Sequence, residues 1–311
     1  MALYMGIDVG GTTVKGIIID ENGKILCEGN VPTLIGEELA DCIITLADTL
    51  VHNSGKVFSA IGGVGVCCPG IIDGAEGKVI FSGNLELKNY PLKQILSDKF
   101  KIPVKVCNDA NGAALGEAKF GAGKGNKDIV MVTLGTGVGG GIILDGKIFE
   151  GNKGAGAEVG HMVIERGGDY CTCGRRGCFE AYSSARALTA RTKWAMEEDT
   201  GSDMWKTYNL STADGRTAFE YMDGDRTARQ VVDWYLKYLA CGVANLANIF
   251  RPQIITIGGG VAAQGSRLTA PLQKLVDEEL FGGVDYAPVK IECATLGTRA
   301  GAYGAAALVM D

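Results

Sequence analysis

The sequence predicts an α/β protein built from two related halves, and two observations carry that expectation. From residue 5 to residue 24 a strand, a Gly/Thr turn, a second strand, a Gly-containing turn and the start of a third strand follow one another, and the same plan returns from residue 129 to residue 147. Between and after these units, segments with apolar residues three and four apart alternate with short β-branched runs, as when helices cover a sheet. At 311 residues the chain exceeds the length at which one core stops growing, so two domains are expected.

Composition narrows the class. A hydrophobic fraction of 46% with 21% charged residues is that of a soluble globular protein. A formal net charge of −6 disfavours nucleic acid and anionic membrane as partners, since both call for basic patches. No apolar run reaches the length of a membrane span, and the opening MALYMGIDVGG lacks the basic stretch and cleavage site of a signal peptide. Cys27, Cys42, Cys67, Cys68, Cys107, Cys241 and Cys293 are scattered through apolar segments, as in a reducing compartment. A cytoplasmic protein with no nucleic-acid or membrane partner is expected. The 47 glycines cluster at strand ends, where backbone turns sharply or approaches a ligand.

In chain order, the strand from Met5 runs into a turn, a β-rich stretch follows over 16–20, then the turn Glu21-Asn22-Gly23 and a strand from Lys24. Asp8, Gly10, Gly11, Thr12 and Lys15 therefore lie in or beside a hairpin loop. There glycines let backbone N–H groups face phosphate oxygens, and a threonine hydroxyl adds a donor. Alone, this is equally an ordinary glycine hairpin. Its weight comes from the second copy, in which residues 129–134 lead into a turn over 135–141 that offers Gly135, Thr136, Gly137 and Gly139. Two such loops about a domain apart suggest an internal duplication, an arrangement that resembles the duplicated actin-like ATPase (ribonuclease H-like) fold, in which two domains around a central cleft hold nucleotide. Gly135-x-Gly137-x-x-Gly140 also matches a dinucleotide fingerprint, but that motif opens a helix and here Ile142, Ile143 and Leu144 continue as a strand. Residues 121–127 lack the Gly-Lys-Ser/Thr ending of a P-loop and read as a solvated turn between domains.

Residues 36–54 place Leu39, Ile43, Leu46, Ala47 and Leu50 on one helical stripe. A buried strand over 61–67 ends at Cys68-Pro69-Gly70, and a helix over 91–101 starts on a proline. The strand 104–107 delivers Asn108 and Asp109 to the start of a helix expected over 113–119. Such a pair is first of all an N-cap, and it also stands where open α/β sheets place ligands. Further on, 185–197 and 226–250 are core helices, and Arg251-Pro252 stops the second. The strand 254–257 ends in Gly258, Gly259 and Gly260, a triplet expected to open a helix over 266–280 and to admit a nucleotide's ribose or α-phosphate. A last strand over 289–293 precedes an Ala/Gly-rich helix over 296–310 that returns to the first domain.

The stretch 154–184 is the most specific. One of the two histidines, His161, falls there with Cys171, Cys173 and Cys178, and three thiolates with one imidazole close a tetrahedral shell around Zn²⁺. Buried small cysteines are the alternative, yet this segment is Gly- and Arg-rich with no apolar run to bury them. Four protein ligands leave no open position, so the zinc reads as structural, a knot that holds Glu158 and Glu180 in place.

Gly156-x-Glu158-x-Gly160-His161, followed by Cys171-x-Cys173-Gly174-x-x-Gly177-Cys178-x-Glu180, resembles the signature of the ROK family of bacterial sugar kinases and sugar-responsive repressors. The resemblance runs from the first loop to the Gly258 triplet. It implies phosphoryl transfer from ATP to the 6-hydroxyl of a hexose, with Asp109 as catalytic base and Asp8 holding Mg²⁺ through water. It assigns Gly70, Asn84, Asn108, Asp109, Glu158, His161 and Glu180 to the sugar, and the two glycine turns with Gly258–Gly260 to ATP. Residues 82–92 resemble the corresponding region of the family's glucokinases, which favours glucose. N-acetylglucosamine, N-acetylmannosamine, mannose or fructose kinases share the same polar set, and a sugar sensor that binds no DNA is the further alternative. The implied domains are 1–119 with 297–311, carrying the first loop and Asp109, and 120–296, carrying the second loop and the zinc. A homodimer is implied as well. So is an order of loss, in which stripping the metal abolishes sugar phosphorylation before ATP binding.

Overall fold

In the computed structural model, which describes residues 2–310, the chain opens with β1 (Leu3–Val9), β2 (Thr13–Asp20) and β3 (Ile25–Pro32), an antiparallel meander. Met1 and Asp311, the outer ends of the expected first domain, lie outside the described residues. The turn between β2 and β3 is held by Asp20, whose Oδ1 accepts from the N–H groups of Asn22 (2.9 Å) and Lys24 (3.0 Å). After α1 (Leu39–Ser54) comes β4 (Ile61–Cys68), then β5 (Ile71–Asp73), β6 (Lys78–Ser82) and β7 (Leu87–Tyr90), α2 (Leu92–Phe100), β8 (Val104–Asn108) and α3 (Asp109–Phe120). The first sheet has the order β3-β2-β1-β4-β8, with β1, β4 and β8 mutually parallel. The expected stripe of α1, Leu39, Ile43, Leu46, Ala47 and Leu50, is buried against Met5, Ile7, Val64 and Val66 in one core.

The chain continues through β9 (Ile129–Leu134), β10 (Val138–Leu144) and β11 (Lys147–Ile148), then α4 (Phe179–Ser183), α5 (Ala185–Glu198), α6 (Thr217–Tyr221), α7 (Arg226–Phe250), β12 (Ile254–Gly258), α8 (Ser266–Glu279), β13 (Lys290–Cys293) and α9 (Ala300–Leu308). The second sheet, β11-β10-β9-β12-β13, repeats the connectivity of the first. This is the expected duplication at the level of the α/β fold. The long helix α7 takes the bounds read from its periodicity. Asp225 caps it by accepting from Ala228 N (2.7 Å), and Arg251 ends it in the left-handed region at φ 42°.

Several expectations are corrected. The second turn is shorter than 135–141, because β10 already begins at Val138 and Gly139 is a strand residue. Glycine lowers strand propensity without forbidding a strand, and pairing within the sheet prevails. The helix α3 begins at Asp109, not residue 113. A short 3₁₀ turn, Gly260–Gln264, separates the glycine triplet from α8. The small sheet β5-β6-β7 was not expected; its strands are three to five residues long, too short to show a period.

By packing, the chain divides into one unit comprising Met1–Ile129, Gly141–Ala157 and Thr295–Asp311, and another comprising Val130–Gly140 and Glu158–Ala294. The helix α9 belongs to the first. Its Ala302 and Ala306 pack on Ile17 and Ile19, and Ala305 on Cys67 and Cys107. No helix among the described residues is long and apolar enough to cross a membrane.

Candidate active site

In the first unit the glycine turn is closed by Gly10 N bonding to Thr13 O (3.0 Å). Asp8 and Lys15 stand opposite each other on β1 and β2, flanking the turn. Gly11 and Thr12 are exposed at its tip. A residue that sequence reasoning missed tethers it: Thr33 donates its hydroxyl to Gly10 O (2.7 Å) and its N–H to Thr12 O (3.1 Å). Thr33 lies just past β3, and nothing in its neighbourhood signals a partner more than twenty residues back.

Asn108 and Asp109 stand where β8 passes into α3. Asn108 does the capping, its Oδ1 accepting from Ala110 N (2.9 Å) and Asn111 N (3.2 Å), while its Nδ2 donates to Gly70 O (3.0 Å). Two residues assigned to the sugar, Gly70 and Asn108, are thus brought together, whereas Asn84 sits exposed in the turn between β6 and β7. Burial raises the Asp109 carboxyl above its ordinary value, and the N–H groups of Ala110 and of Asp109 itself pull against that rise. Asp8 is pushed up to about 6, first by burial and then by the charge of Asp109, with Lys15 opposing. The two carboxylates feel one another in a partly desolvated place, the setting in which a carboxylate becomes a better proton acceptor.

Glu117, one helical face further along α3, was also missed. It is fully buried, yet its carboxylate accepts from the N–H groups of Ala122 (2.8 Å), Thr295 (3.1 Å) and Leu296 (2.7 Å). Residues 121–127, with their many glycines, fold as bends and turns beside this carboxylate.

In the second unit the turn 135–137 is closed by Gly135 N bonding to Gly137 O (3.0 Å). Thr136 is exposed at its tip, Gly258 ends β12 buried in the sheet, and Gly259 and Gly260 are exposed just beyond. Glu158 is exposed and follows Ala157, a left-handed residue at φ 62°. His161 ends the 3₁₀ turn Val159–His161. Glu180 differs from the others assigned to the sugar. It is buried, with Oε2 accepting from Val138 N (3.0 Å) and Oε1 facing Thr172 Oγ1 (3.2 Å) and Cys171 Sγ (3.6 Å).

The ligand atoms of His161, Cys171, Cys173 and Cys178 all lie within 4.8 Å of one another. Cys171 Sγ is 3.7 Å from His161 Nδ1, and Cys173 Sγ is 3.7 Å from Cys178 Sγ. A tetrahedron with metal–sulfur arms of ~2.3 Å has edges of about 3.8 Å, so these residues fit a four-coordinate thiophilic ion. Burial raises the Cys171 thiol and pushes Cys178 up to about 12, whereas a backbone hydrogen bond from Arg175 lowers that of exposed Cys173. A dication is the charge that lets all three ionise together. Tyr182, stacked on Tyr238 at 4.2 Å between ring centres, accepts from Asp169 N (2.6 Å) and anchors the outer loop of the cluster on α7.

Known proteins resemble this chain over nearly its whole length. The glucokinase of Halalkalibacterium halodurans is 37% identical over 98% of this chain and 94% of its own. The xylose repressor of Caldicellulosiruptor bescii is 32% identical over 99% of this chain and 78% of its own length. A crystal structure of a ROK family glucokinase from Streptomyces griseus in complex with glucose and AMPPNP superposes with a TM-score of 0.80 at 33% identity, covering 99% of each chain. The sequence profile of the ROK family matches residues 4–311, and the chain belongs to the ROK family.

Proposed function

We propose that this chain is an ATP-dependent hexose kinase that transfers the γ-phosphoryl group of ATP to the 6-hydroxyl of glucose. The observation that carries the reading is Asp109, a partly desolvated carboxylate with a raised pKa at the start of α3, in a chain whose relatives include glucokinases. Asp109 takes the proton of the sugar hydroxyl as its oxygen bonds to the γ-phosphorus, the bond to the β–γ bridging oxygen breaks, and ADP leaves. The turn with Gly10, Gly11 and Thr12, beside Lys15, and the residues Gly135, Thr136, Gly137, Gly139 and Gly258–Gly260 are the proposed ATP-binding groups, backbone N–H groups supplying most of the donors. Asp8 is the proposed holder of Mg²⁺ through water, an ion that neutralises phosphate charge when bound.

Gly70, Asn84, Asn108, Asp109, Glu158, His161 and Glu180 are the proposed sugar ligands, amides and carboxylates that suit hydroxyls acting as both donor and acceptor. The four-residue cluster is proposed to hold a structural zinc, which would fix the tautomer of His161. The division at residues 119/120 and 296/297, a homodimer and a cytoplasmic setting belong to the same reading; the ten cysteines, all free, support the last. The likeness to a xylose repressor favours a second reading, a sugar sensor without turnover. A coupled assay of ADP release with ATP, Mg²⁺ and a panel of glucose, mannose, fructose and N-acetyl hexoses decides between them. Turnover highest on glucose is expected, with kcat falling ~10²–10⁴-fold in a folded Asp109→Asn variant. Silence on every sugar would favour the sensor, and near-normal turnover of the variant would remove Asp109 from its role.

A further inference from the structure

The metal cluster and the second glycine turn are joined by one short piece of chain. Cys178 is a corner of the cluster, and the next residue starts α4. The segment meets the turn at both of its ends. Near its start Glu180 Oε2 accepts from Val138 N (3.0 Å), and just past its end Ala185 N donates to Gly135 O (2.8 Å). The carboxylate also occupies the space over the turn, since a β-carbon on Gly137 would come within 2.3 Å of Glu180 Oε2. The other oxygen of Glu180 faces the cluster through Thr172 and Cys171. The helix itself cannot drift. Tyr235 on α7 donates to Ser183 O (2.7 Å), and the ring of buried Phe179 sits where a β-carbon on Gly242 would lie 2.2 Å away.

We infer that residues 178–185 are a brace through which the metal cluster sets the shape of the 135–138 turn, with Glu180 and the N–H of Ala185 as positioning groups. The inference deepens the proposed function and rests on its assignment of that turn to ATP. A glycine turn has little stiffness of its own, whereas N–H groups stabilise phosphate charge only when held in place beforehand. Both hydrogen bonds come from an element seated firmly on α7 and tied at one end to a metal ligand. Loss of the ion leaves that end untied. The sequence alone attached the knot to the sugar, so that metal loss would abolish sugar phosphorylation before ATP binding; the brace attaches it to the nucleotide turn as well.

The test compares the zinc-loaded chain with chain stripped by 1,10-phenanthroline, a chelator that leaves Mg²⁺ in place. Each is titrated calorimetrically with a non-hydrolysable ATP analogue plus Mg²⁺ and, separately, with glucose, and metal content is read by atomic absorption. Ala185→Pro breaks the brace without touching a metal ligand. Proline suits the first position of a helix, and the preceding Ser184 is extended (φ −70°, ψ 157°), as a residue before proline must be. The variant is expected to keep its zinc and its glucose affinity while binding the ATP analogue about tenfold more weakly. Stripping should weaken the analogue by a similar factor in the unmodified chain and add little in Ala185→Pro, because both act on one path. Wild-type affinity for the analogue in Ala185→Pro would overturn the brace. So would a stripped chain, still folded by circular dichroism, that holds the analogue as before. Should stripping unfold the protein, the zinc-loaded pair Glu180→Ala and Glu180→Gln decides. Loss in the first with recovery in the second supports the brace, and equal affinities overturn it. Absence of analogue binding in every form would sink the kinase reading and the brace together, whereas binding indifferent to these changes sinks the brace alone.

Discussion

Asp8 illustrates what a single carboxylate does to the stability of the fold. Its folded pKa, about 6, lies above the ordinary 3.8 because burial and the neighbouring Asp109 both disfavour its charge. Between about pH 4 and pH 6 the folded chain therefore binds more protons at this position than the unfolded chain does, and stability falls as pH rises through that window. The favourable contribution is complete below about pH 4 and gone above about pH 6. In the absence of nucleotide and Mg²⁺, Asp8→Asn should stabilise the protein at pH 7.5 by about 2–3 kcal/mol and do little at about pH 4. Urea unfolding at the two pH values checks this, and an equal effect at both would show that the charge is not the cause. The residue was legible in the sequence because it stands beside Gly-Gly-Thr in a strand–turn–strand unit. Thr33, which ties the same turn from behind, was not, because its partnership is made by β3 lying next to β2 and leaves no trace in local spacing.

Among the elements, α9 is the sharpest case of two rules in conflict. Helix propensity favours alanine over glycine by about 1 kcal/mol at an interior position such as Gly304. Yet a β-carbon there would stand 1.6 Å from Gly112 O, a backbone atom of α3 that cannot swing aside. Overpacking should win, so Gly304→Ala is expected to lower stability by about 1–3 kcal/mol. A variant at least as stable as the parent in thermal and urea unfolding would mean that α3 and α9 have room to separate. Elements with a long period were readable: α7 needs 25 residues and shows its buried stripe throughout. The strands β5, β6 and β7 were not, since three to five residues carry too little pattern to tell a strand from a loop.

At the scale of the molecule, the first unit is gathered from three separate stretches of chain, the last of which carries α9. Removing residues 295–311 would uncover Ile17, Ile19, Cys67 and Cys107 and leave Glu117 without the N–H groups of Thr295 and Leu296, a buried carboxylate with most of its partners gone. The truncated chain is expected to lose the cooperative unfolding transition of its first unit, on the order of the whole stability of a domain, ~5–15 kcal/mol. A truncated protein that still melts cooperatively with both units folded would show that α9 is an ornament on the sheet. By itself the amino-acid sequence determined the residue types of the His/Cys cluster, the two glycine turns, the Asn-Asp pair at the start of α3 and the stripes of the long helices. All of these depend on spacing within a few residues, which the chain carries openly. Only the tertiary structure decided what closes each turn and where each buried carboxylate spends its oxygens, as with Glu180 on Val138, 42 positions away, and Glu117 on Thr295, 178 positions away. Such pairs arise from strand register and helix packing, and a hydrogen bond across that distance is set by the whole fold, with nothing near either residue to announce it.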